Sequence, residues 1–415
     1  MKNFLKGKLN DENISSVLII VLSNLGNFFS LLFLIFMSRN LNSDHFSLNS
    51  SLIGFVSLMT VLTTFLTPYI SKFVANNSKK KFTKTYFVNL TKISVYSLLV
   101  LLLLLIFKET IFDFFKFRDL KIIFICFFIF YFNVLLFYND GFILGNERYM
   151  VHSFIFAFQQ FSRLLILIII VYFFYNKFSA IYAAFFSIFI VISIMSAYVI
   201  TTEILKKTSN QINLSINFKN KDFKNSIIVQ LIILYFLNID IILSRNIFSF
   251  EISSQYIVIS SLSKIIFYFF GVLLPIIVPK TIFNLKNKRN EYTYIYKIFF
   301  VIIVVYLGLI LLKEFFLDFI LEDIFRRENS LKKLFLYLCT VYAILSINSF
   351  LLNFFYSKKK QNTLIISLFL LIISILFLTL INNPVELARY MLVSVFLNFL
   401  FLVYFFLKYK NKVIK

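Results

Sequence analysis

Ionisable side chains inside long apolar segments are the residues of this chain most able to do chemistry. Arg163 lies near the middle of one such segment, Lys264 lies in a second and Asp240 in a third. A charge at membrane depth costs about 2.5–3.5 kcal/mol on insertion scales, so each one needs a partner or a ligand. The cations predict a site for an anionic group, and Asp240 is placed to pair with Lys264. The alternatives are an Arg163 that ties two helices together and a Lys264 whose stem reaches the interface.

Two further arginines occupy equivalent positions in a repeated motif. Arg39 and Arg245 each follow a serine and precede an asparagine at the end of an apolar run, so both are expected to point toward a polar cavity. Gln159 lies one turn before Arg163 on the same helical face. For amides in such segments, hydrogen bonding between helices is the alternative. The candidate binding residues are Arg163, Lys264, Arg39, Arg245, Asp240, Gln159 and Asn24.

Sequence signatures of catalysis are absent from the chain. It contains no GxxxxGK[ST], HExxH, GxSxG or CxxC motif. No carboxylate is expected to pair with His45 or His152 as the orienting partner of a catalytic base, so both are interpreted as interfacial residues. A polysaccharide polymerase or glycosyltransferase would be expected to carry a long outer catalytic loop, and the largest outer loop is 313–333. The prediction is a protein that is not an enzyme and has no catalytic residue, metal or cofactor.

The elements that must position these residues are membrane-spanning helices. The chain of 415 residues is 60% hydrophobic and only 15% charged, and its mean hydropathy is +0.88, which excludes an ordinary soluble domain. A spanning helix needs about 20 apolar residues, and non-alternating runs such as 98–105 exclude barrel strands. Twelve spans are predicted, at 14–37, 47–70, 89–107, 121–144, 151–175, 179–203, 226–245, 255–278, 295–312, 334–356, 362–381 and 385–407.

The basic residues predict the orientation of the spans. The net charge is +23, and the Lys and Arg residues cluster between the apolar runs, which indicates a membrane protein and no nucleic-acid partner. With a cytoplasmic N-terminus, 27 of the 42 basic residues fall in inner segments. The first apolar run is too long for a cleaved signal peptide. We therefore expect a multi-pass membrane protein with both termini in the cytoplasm.

The two halves of the chain repeat each other. Residues 38–41 match 244–247 at an offset of 206, and two further matches follow in order, at offsets of 207 and 205. Six spans per half is an even number, so both halves enter the membrane from the same side as a parallel repeat. The predicted domains are an N-terminal six-helix lobe at 1–203, a cytoplasmic connecting loop at 204–225, and a C-terminal six-helix lobe with a short cytoplasmic tail at 226–415.

Several segments resemble the polysaccharide-exporter flippases, the Wzx-type branch of the MATE-like superfamily. Residues 238–245 match the family's D-x-x-L/I helix at Asp240, and 250–256 match the start of its eighth span. Residues 23–46 are similar to its first span and following turn, although Ser47 replaces the usual glycine. Residues 145–148 resemble its G-x-x-R inner turn. The resemblance covers nearly the whole chain.

This resemblance implies an all-α integral membrane protein with about twelve helices in two six-helix lobes around a cavity. It also implies that the chain translocates a polyprenyl-pyrophosphate-linked oligosaccharide, the repeat unit of O-antigen or capsule, by alternating access. Its partners would be this substrate, the lipid bilayer, a polysaccharide polymerase and a chain-length regulator. A cation-coupled small-molecule exporter of the same fold remains the alternative, although span one has no acidic residue. Peptidoglycan flippases of the same superfamily usually have fourteen spans, whereas twelve are predicted here, and this difference favours the oligosaccharide flippase.

Overall fold

The computed structural model describes residues 8–64, 66–76, 83–204, 221–271, 292–327 and 330–414. Within these ranges the chain is almost entirely helical and has no strand. Helices satisfy every backbone N–H and C=O group inside the segment itself, which a chain surrounded by hydrocarbon requires. The predicted connecting loop 204–225 lies largely outside the described residues. Pro275 and Lys280, which belong to the repeat match at an offset of 207, lie wholly outside them.

The described part of the N-terminal half contains nine α-helices, and some of them together form one span. A short π-helical turn, Ile200–Ile204, extends the last of them. The helices are α1 (Lys8–Asn40), α2 (Ser43–Met59), α3 (Val61–Thr64), α4 (Leu66–Asn76), α5 (Thr83–Ile106), α6 (Lys108–Phe115), α7 (Leu120–Gly145), α8 (Tyr149–Phe174) and α9 (Ser179–Val199).

The described part of the C-terminal half contains seven α-helices. A π-helical turn, Ile320–Ile324, follows the fourth, and a 3-10 turn, Phe377–Leu380, follows the sixth. The helices are α10 (Lys221–Ile247), α11 (Phe250–Ser263), α12 (Ile265–Gly271), α13 (Tyr292–Phe319), α14 (Leu334–Ser357), α15 (Gln361–Leu376) and α16 (Pro384–Ile414).

Each of the twelve predicted spans coincides with helical structure over the residues that the structure describes. Nine helical segments of the described chain are long and apolar enough to cross a membrane, and two shorter apolar helices, Phe299–Leu311 and Gln361–Leu376, fall in predicted spans nine and eleven. The second span is divided among α2, α3 and α4, so no single helix there has the full length. The all-helical membrane fold is therefore confirmed.

The second span of each half is interrupted at an equivalent place. Two residues separate α1 from α2 and also α10 from α11, and an N-cap side chain, Asn42 or Ser249, begins the second helix in both halves. Helix α2 ends at the cap Thr60 and helix α11 at the cap Lys264. Near this cap the hydroxyls of Thr60 and Thr63 donate to backbone carbonyls three residues back. These bonds compete with the backbone hydrogen bonds of the helix and so weaken it.

The described chain packs as two compact units. Unit 1 takes the described residues of Met1–Leu34, Leu66–Leu103 and Phe127–Ile216, and unit 2 takes those of Ile35–Phe65, Leu104–Cys126 and Asn217–Lys415. Two segments of the N-terminal half thus pack with the C-terminal half. The predicted lobe limits at residues 203 and 226 stay a prediction.

Unit 1 is built around close helix pairs. Helices α1 and α8 run parallel, because Ser23 bonds to Ser153 at 3.0 Å and Ser30 to Gln160 at 2.9 Å. Helix α7 approaches α4 at Gly141 and Gly145, a GxxxG spacing, and a Cβ added at either glycine would lie 2.6 Å from a side-chain carbon of α4. Small residues let membrane helices approach closely in this way.

Unit 2 has its core around α14. This helix packs against α10, α11, α12, α13, α15 and α16, and most of its side chains are buried. Helix α10 also contacts α2, α3 and α6, which come from the N-terminal half of the sequence. The buried side chains of Asp240 and Arg245, described in the next subsection, lie on α10 at these contacts.

Candidate functional site

The predicted ion pair between Asp240 and Lys264 is confirmed. The Lys264 Nζ lies 3.1 Å from Asp240 Oδ1, and the two side chains are 1% and 0% exposed. The other carboxylate oxygen accepts hydrogen bonds from the Tyr342 hydroxyl at 2.7 Å and from Ser260. The Lys264 Nζ also lies 5.3 Å from the centroid of the Tyr342 ring. Lys264 therefore does not extend to the interface, and α10, α11 and α14 meet at one polar cluster.

The position of Lys264 follows from the interruption of span eight. As the C-cap of α11 it stands between that helix and α12, where the regular helix stops. In transporters built from repeats, interrupted helices at corresponding positions of the two halves often mark the binding site. Asp240 and Lys264 are nevertheless closed off in this state, so they do not line an open surface.

Arg163 lies in the α1–α8 pair of unit 1. Its guanidinium carbon is 4.0 Å from the centroid of the Phe33 ring, and its side chain is half-buried. A guanidinium stacked on an aromatic ring presents its donors in its own plane, the geometry that matches the oxygens of a phosphate. Arg163 is therefore a cation that Phe33 holds in place at the depth of the span and that remains partly exposed. Its role in binding stays a prediction.

The two amides of the predicted site also belong to unit 1. Asn24 on α1 and Gln159 on α8 are both half-buried. Contacts between the two helices are made by the neighbouring residues Ser23 and Gln160. Gln159 uses its backbone carbonyl to accept from the Ser162 hydroxyl at 3.0 Å. The structure brings Asn24, Gln159 and Arg163 onto one helix pair.

Arg39 and Arg245 share a motif and yet differ in their surroundings. Arg39 is exposed, whereas Arg245 is 1% exposed. The Arg245 guanidinium lies 2.7 Å from Asp44 Oδ1 and donates to Ser47 Oγ at 2.8 Å. The prediction that both arginines point the same way toward a cavity is wrong, because only Arg245 meets a carboxylate from another part of the chain.

His152 has a carboxylate partner that its sequence neighbours do not reveal. Its Nδ1 lies 2.8 Å from Asp140 Oδ1, and Asp140 is buried. The interpretation of His152 as a residue without a carboxylate is therefore wrong, because the turn between α7 and α8 brings the two residues together. Beside Asp140, Asn139 accepts from the Tyr86 hydroxyl at 2.7 Å and donates to Ser196 at 2.9 Å.

Arg327 is a half-buried cation that sequence reasoning missed. It follows the π-helical turn after α13 and donates to the carbonyls of Ser38 and Leu41, both at 2.9 Å. Burial lowers the pKa of this guanidinium from its ordinary value. The Arg326-Arg327 pair in an outer loop looks like an ordinary interfacial anchor, so no sequence signal identifies its partners.

Comparisons with known proteins identify the fold. No family model and no curated protein sequence matches the chain. The eukaryotic MATE transporter AtDTX14 has a TM-score of 0.66 and 12% identity, over 95% of this chain and 94% of that chain. Lipid II flippase MurJ, in an inward closed conformation, has a TM-score of 0.65 and 16% identity, over 92% and 87%. A MATE in complex with MaL6 gives 0.67 and 12%, over 96% and 97%. The chain thus has the fold shared by MATE transporters and MurJ.

Proposed function

We propose that this protein is a flippase that moves a polyprenyl-pyrophosphate-linked oligosaccharide across the bacterial inner membrane by alternating access. The oligosaccharide is the repeat unit of an O-antigen or a capsule. The observation that carries the proposal is Arg163, a half-buried guanidinium stacked on Phe33 in the interior of a spanning helix. A pyrophosphate entering a region of low dielectric needs a cation of this kind to offset its desolvation.

The shape of the guanidinium favours a phosphate group over a simple anion. Arg163 carries donors in a rigid fork, which can bind two oxygens of a phosphate at once. Asn24 and Gln159 lie on the same helix pair and supply hydrogen-bonding groups suited to sugar hydroxyls. The prenyl chain needs no polar contact, because it stays in the hydrocarbon.

A cation-coupled small-molecule exporter is the second candidate. The Asp140–His152 pair favours it, since a carboxylate buried near a spanning-helix end is a group that can take up a proton. Against it, the described part of span one, Val21–Asn40, has no acidic residue. The fold is equally compatible with both candidates.

Localisation and partners follow from the proposed function. The protein would reside in the inner membrane with both termini in the cytoplasm. It would receive its substrate from the inner leaflet and deliver it to a polysaccharide polymerase and its chain-length regulator. No cofactor and no nucleic acid enters this proposal.

Transport by purified protein tests the proposal. Proteoliposomes loaded with a defined lipid-linked oligosaccharide should show its transfer between leaflets, and Arg163→Ala should abolish that transfer. Arg163→Lys keeps the charge but loses the fork, so it should also impair transfer. Arg118→Ala, in an exposed connecting segment, is the matched control. Full transfer by Arg163→Ala at equal protein abundance would contradict the proposed role.

A further inference from the structure

Two arginines of the C-terminal half, the buried Arg245 and the half-buried Arg327, bind the N-terminal half within unit 2. Arg245 lies in the last turn of α10, and Arg327 follows the turn after α13. Their acceptors come from the end of α1, the start of α2 and the segment after α6. The region where these groups meet, residues 38–47, 114–116, 244–250 and 325–327, is called the far end below.

Arg327 caps the C-terminus of α1. One of its terminal nitrogens donates to the carbonyls of Ser38 and Leu41, both at 2.9 Å, and the other donates to Ser43 Oγ at 2.7 Å. Its Nε donates to Ser38 Oγ at 3.1 Å. The last carbonyls of a helix have no partner inside the helix, so a cation placed there binds them favourably. These four acceptors are all neutral oxygens.

Arg245 binds the start of α2, and one of its partners there is a carboxylate. Besides Asp44 and Ser47, its Nε donates to the Phe115 carbonyl at 3.2 Å, and its guanidinium carbon lies 4.1 Å from the centroid of the Phe250 ring. The Asp44 side chain is 42% exposed, so water reaches one side of this ion pair.

The contacts at the far end are reciprocal between the halves. The segment after α6 caps α10, since Lys116 Nζ donates to the Asn246 carbonyl at 3.0 Å and Asn246 Nδ2 donates to the Phe114 carbonyl at 3.0 Å. The segment after α13 caps α1 through Arg327. Each segment turns through a residue with positive φ, 57° at Lys116 and 53° at Arg326. The loop after the third span of each half thus holds the first span of the other half.

We infer that this reciprocal set is a latch that closes the far end and must release when the protein opens there. Its contacts are hydrogen bonds and one ion pair made by groups that water solvates well, so each contact can be exchanged for water at small net cost. Apolar contacts of the same area could not be replaced by water at small cost, because exposing apolar surface to water is unfavourable. The device goes beyond the proposed function, because it operates for any substrate.

A cysteine in place of the buried Ser51 would report whether the far end is open. Ser51 on α2 is 0% exposed and lies on the helical face that carries Ser47 and Gly54, the face toward α10. Ser51→Cys, in a chain with Cys126→Ala and Cys339→Ala, is labelled with a water-soluble maleimide in nanodiscs, where both ends are accessible. Labelling needs no substrate, so it is independent of the transport proposal.

The latch predicts which substitutions speed the labelling. Arg327→Gln removes the cap of α1, and Asp44→Asn weakens the Arg245 ion pair with little risk to folding. Losing a charged hydrogen bond shifts the opening equilibrium by about tenfold, so the labelling rate should rise by about that factor. The control Arg118→Gln changes an exposed cation outside the far end and should leave the rate unchanged. Unchanged labelling of both latch variants, or an equal rise in the control, would overturn the latch.

A cross-link tests whether release is required. A Cβ placed on Gly54 would lie 3.5 Å from Ile242 Cγ1, so Gly54→Cys and Ile242→Cys are close enough to form a disulfide across the far end. The oxidised double variant should lose transport and regain it on reduction. Transport by the oxidised form at the rate of the reduced form would contradict the requirement for release. Absence of transport in both forms together with fast labelling of the latch variants would count against the proposed substrate and for the latch.

Discussion

The Lys264 ammonium and the Asp240 carboxylate, 3.1 Å apart, form an ion pair that is closed off from solvent on all sides. Lys264 stands where span eight is interrupted, and Asp240 lies on the preceding span. Removing two charges from water is expensive, and the Tyr342 and Ser260 hydroxyls reduce that cost by binding the second carboxylate oxygen. The pair thus links two consecutive spans at the place where span eight is interrupted.

Lys264→Met should destabilise the protein strongly. It keeps the length of the side chain but leaves the Asp240 carboxylate buried without its cation, a change worth about 3–5 kcal/mol in the free energy of unfolding. The double variant Lys264→Met/Asp240→Asn removes both charges and should recover much of the loss. Unfolding in detergent measures both, and a double variant no more stable than the single one would contradict the role of the charge.

Tyr342→Phe should cost less than the loss of Lys264. The ring near Lys264 remains, and Asp240 loses one hydrogen-bond donor while keeping Ser260, so the free energy of unfolding should fall by about 1–3 kcal/mol. Tyr404→Phe, at an exposed position of α16, is the matched control and should have no effect. A loss equal to that of Lys264→Met would indicate that the hydroxyl, rather than the cation, holds the cluster.

Gly141→Ala should weaken the contact between α4 and α7. The new methyl group would lie 2.6 Å from the Ile70 Cβ, which cannot move without shifting the backbone. Overpacking of this kind costs about 1–3 kcal/mol. Gly308→Ala, where no heavy atom of a neighbouring residue lies within 4 Å, should instead gain about 0.5–1 kcal/mol, because glycine is unfavourable inside a helix. Thermal unfolding of the two variants should therefore change in opposite directions.

Asp140→Asn distinguishes the two candidate functions. In the flippase, the Asp140–His152 pair only joins α7 to α8, so the variant should lower the unfolding temperature and leave transport per folded molecule unchanged. In a cation-coupled exporter it should abolish coupling. Transport of the lipid-linked oligosaccharide, normalised to folded protein, is the measurement. Loss of oligosaccharide transport in the folded variant would contradict this purely structural role and indicate that the pair takes part in coupling, as the exporter hypothesis requires.

The sequence by itself determined that the chain folds into membrane-spanning helices. Apolar length is decisive in a membrane, because a segment that long can satisfy its backbone only as a helix. The motif at residues 38–41 and 244–247 located the ends of α1 and α10 correctly. Even the Asp240–Lys264 pair was predictable, since consecutive antiparallel helices place residues at the same depth side by side.

Only the tertiary structure decided which charges are buried and what they bind. Arg39 and Arg245 have the same neighbours in sequence, and yet one is exposed and the other meets Asp44 and the Phe115 carbonyl. The partners of Arg327 lie almost 290 residues away, at Ser38. Local pattern sets how a segment folds, whereas the burial of a charge depends on which remote backbone oxygens and carboxylates reach it, and that is a property of helix packing.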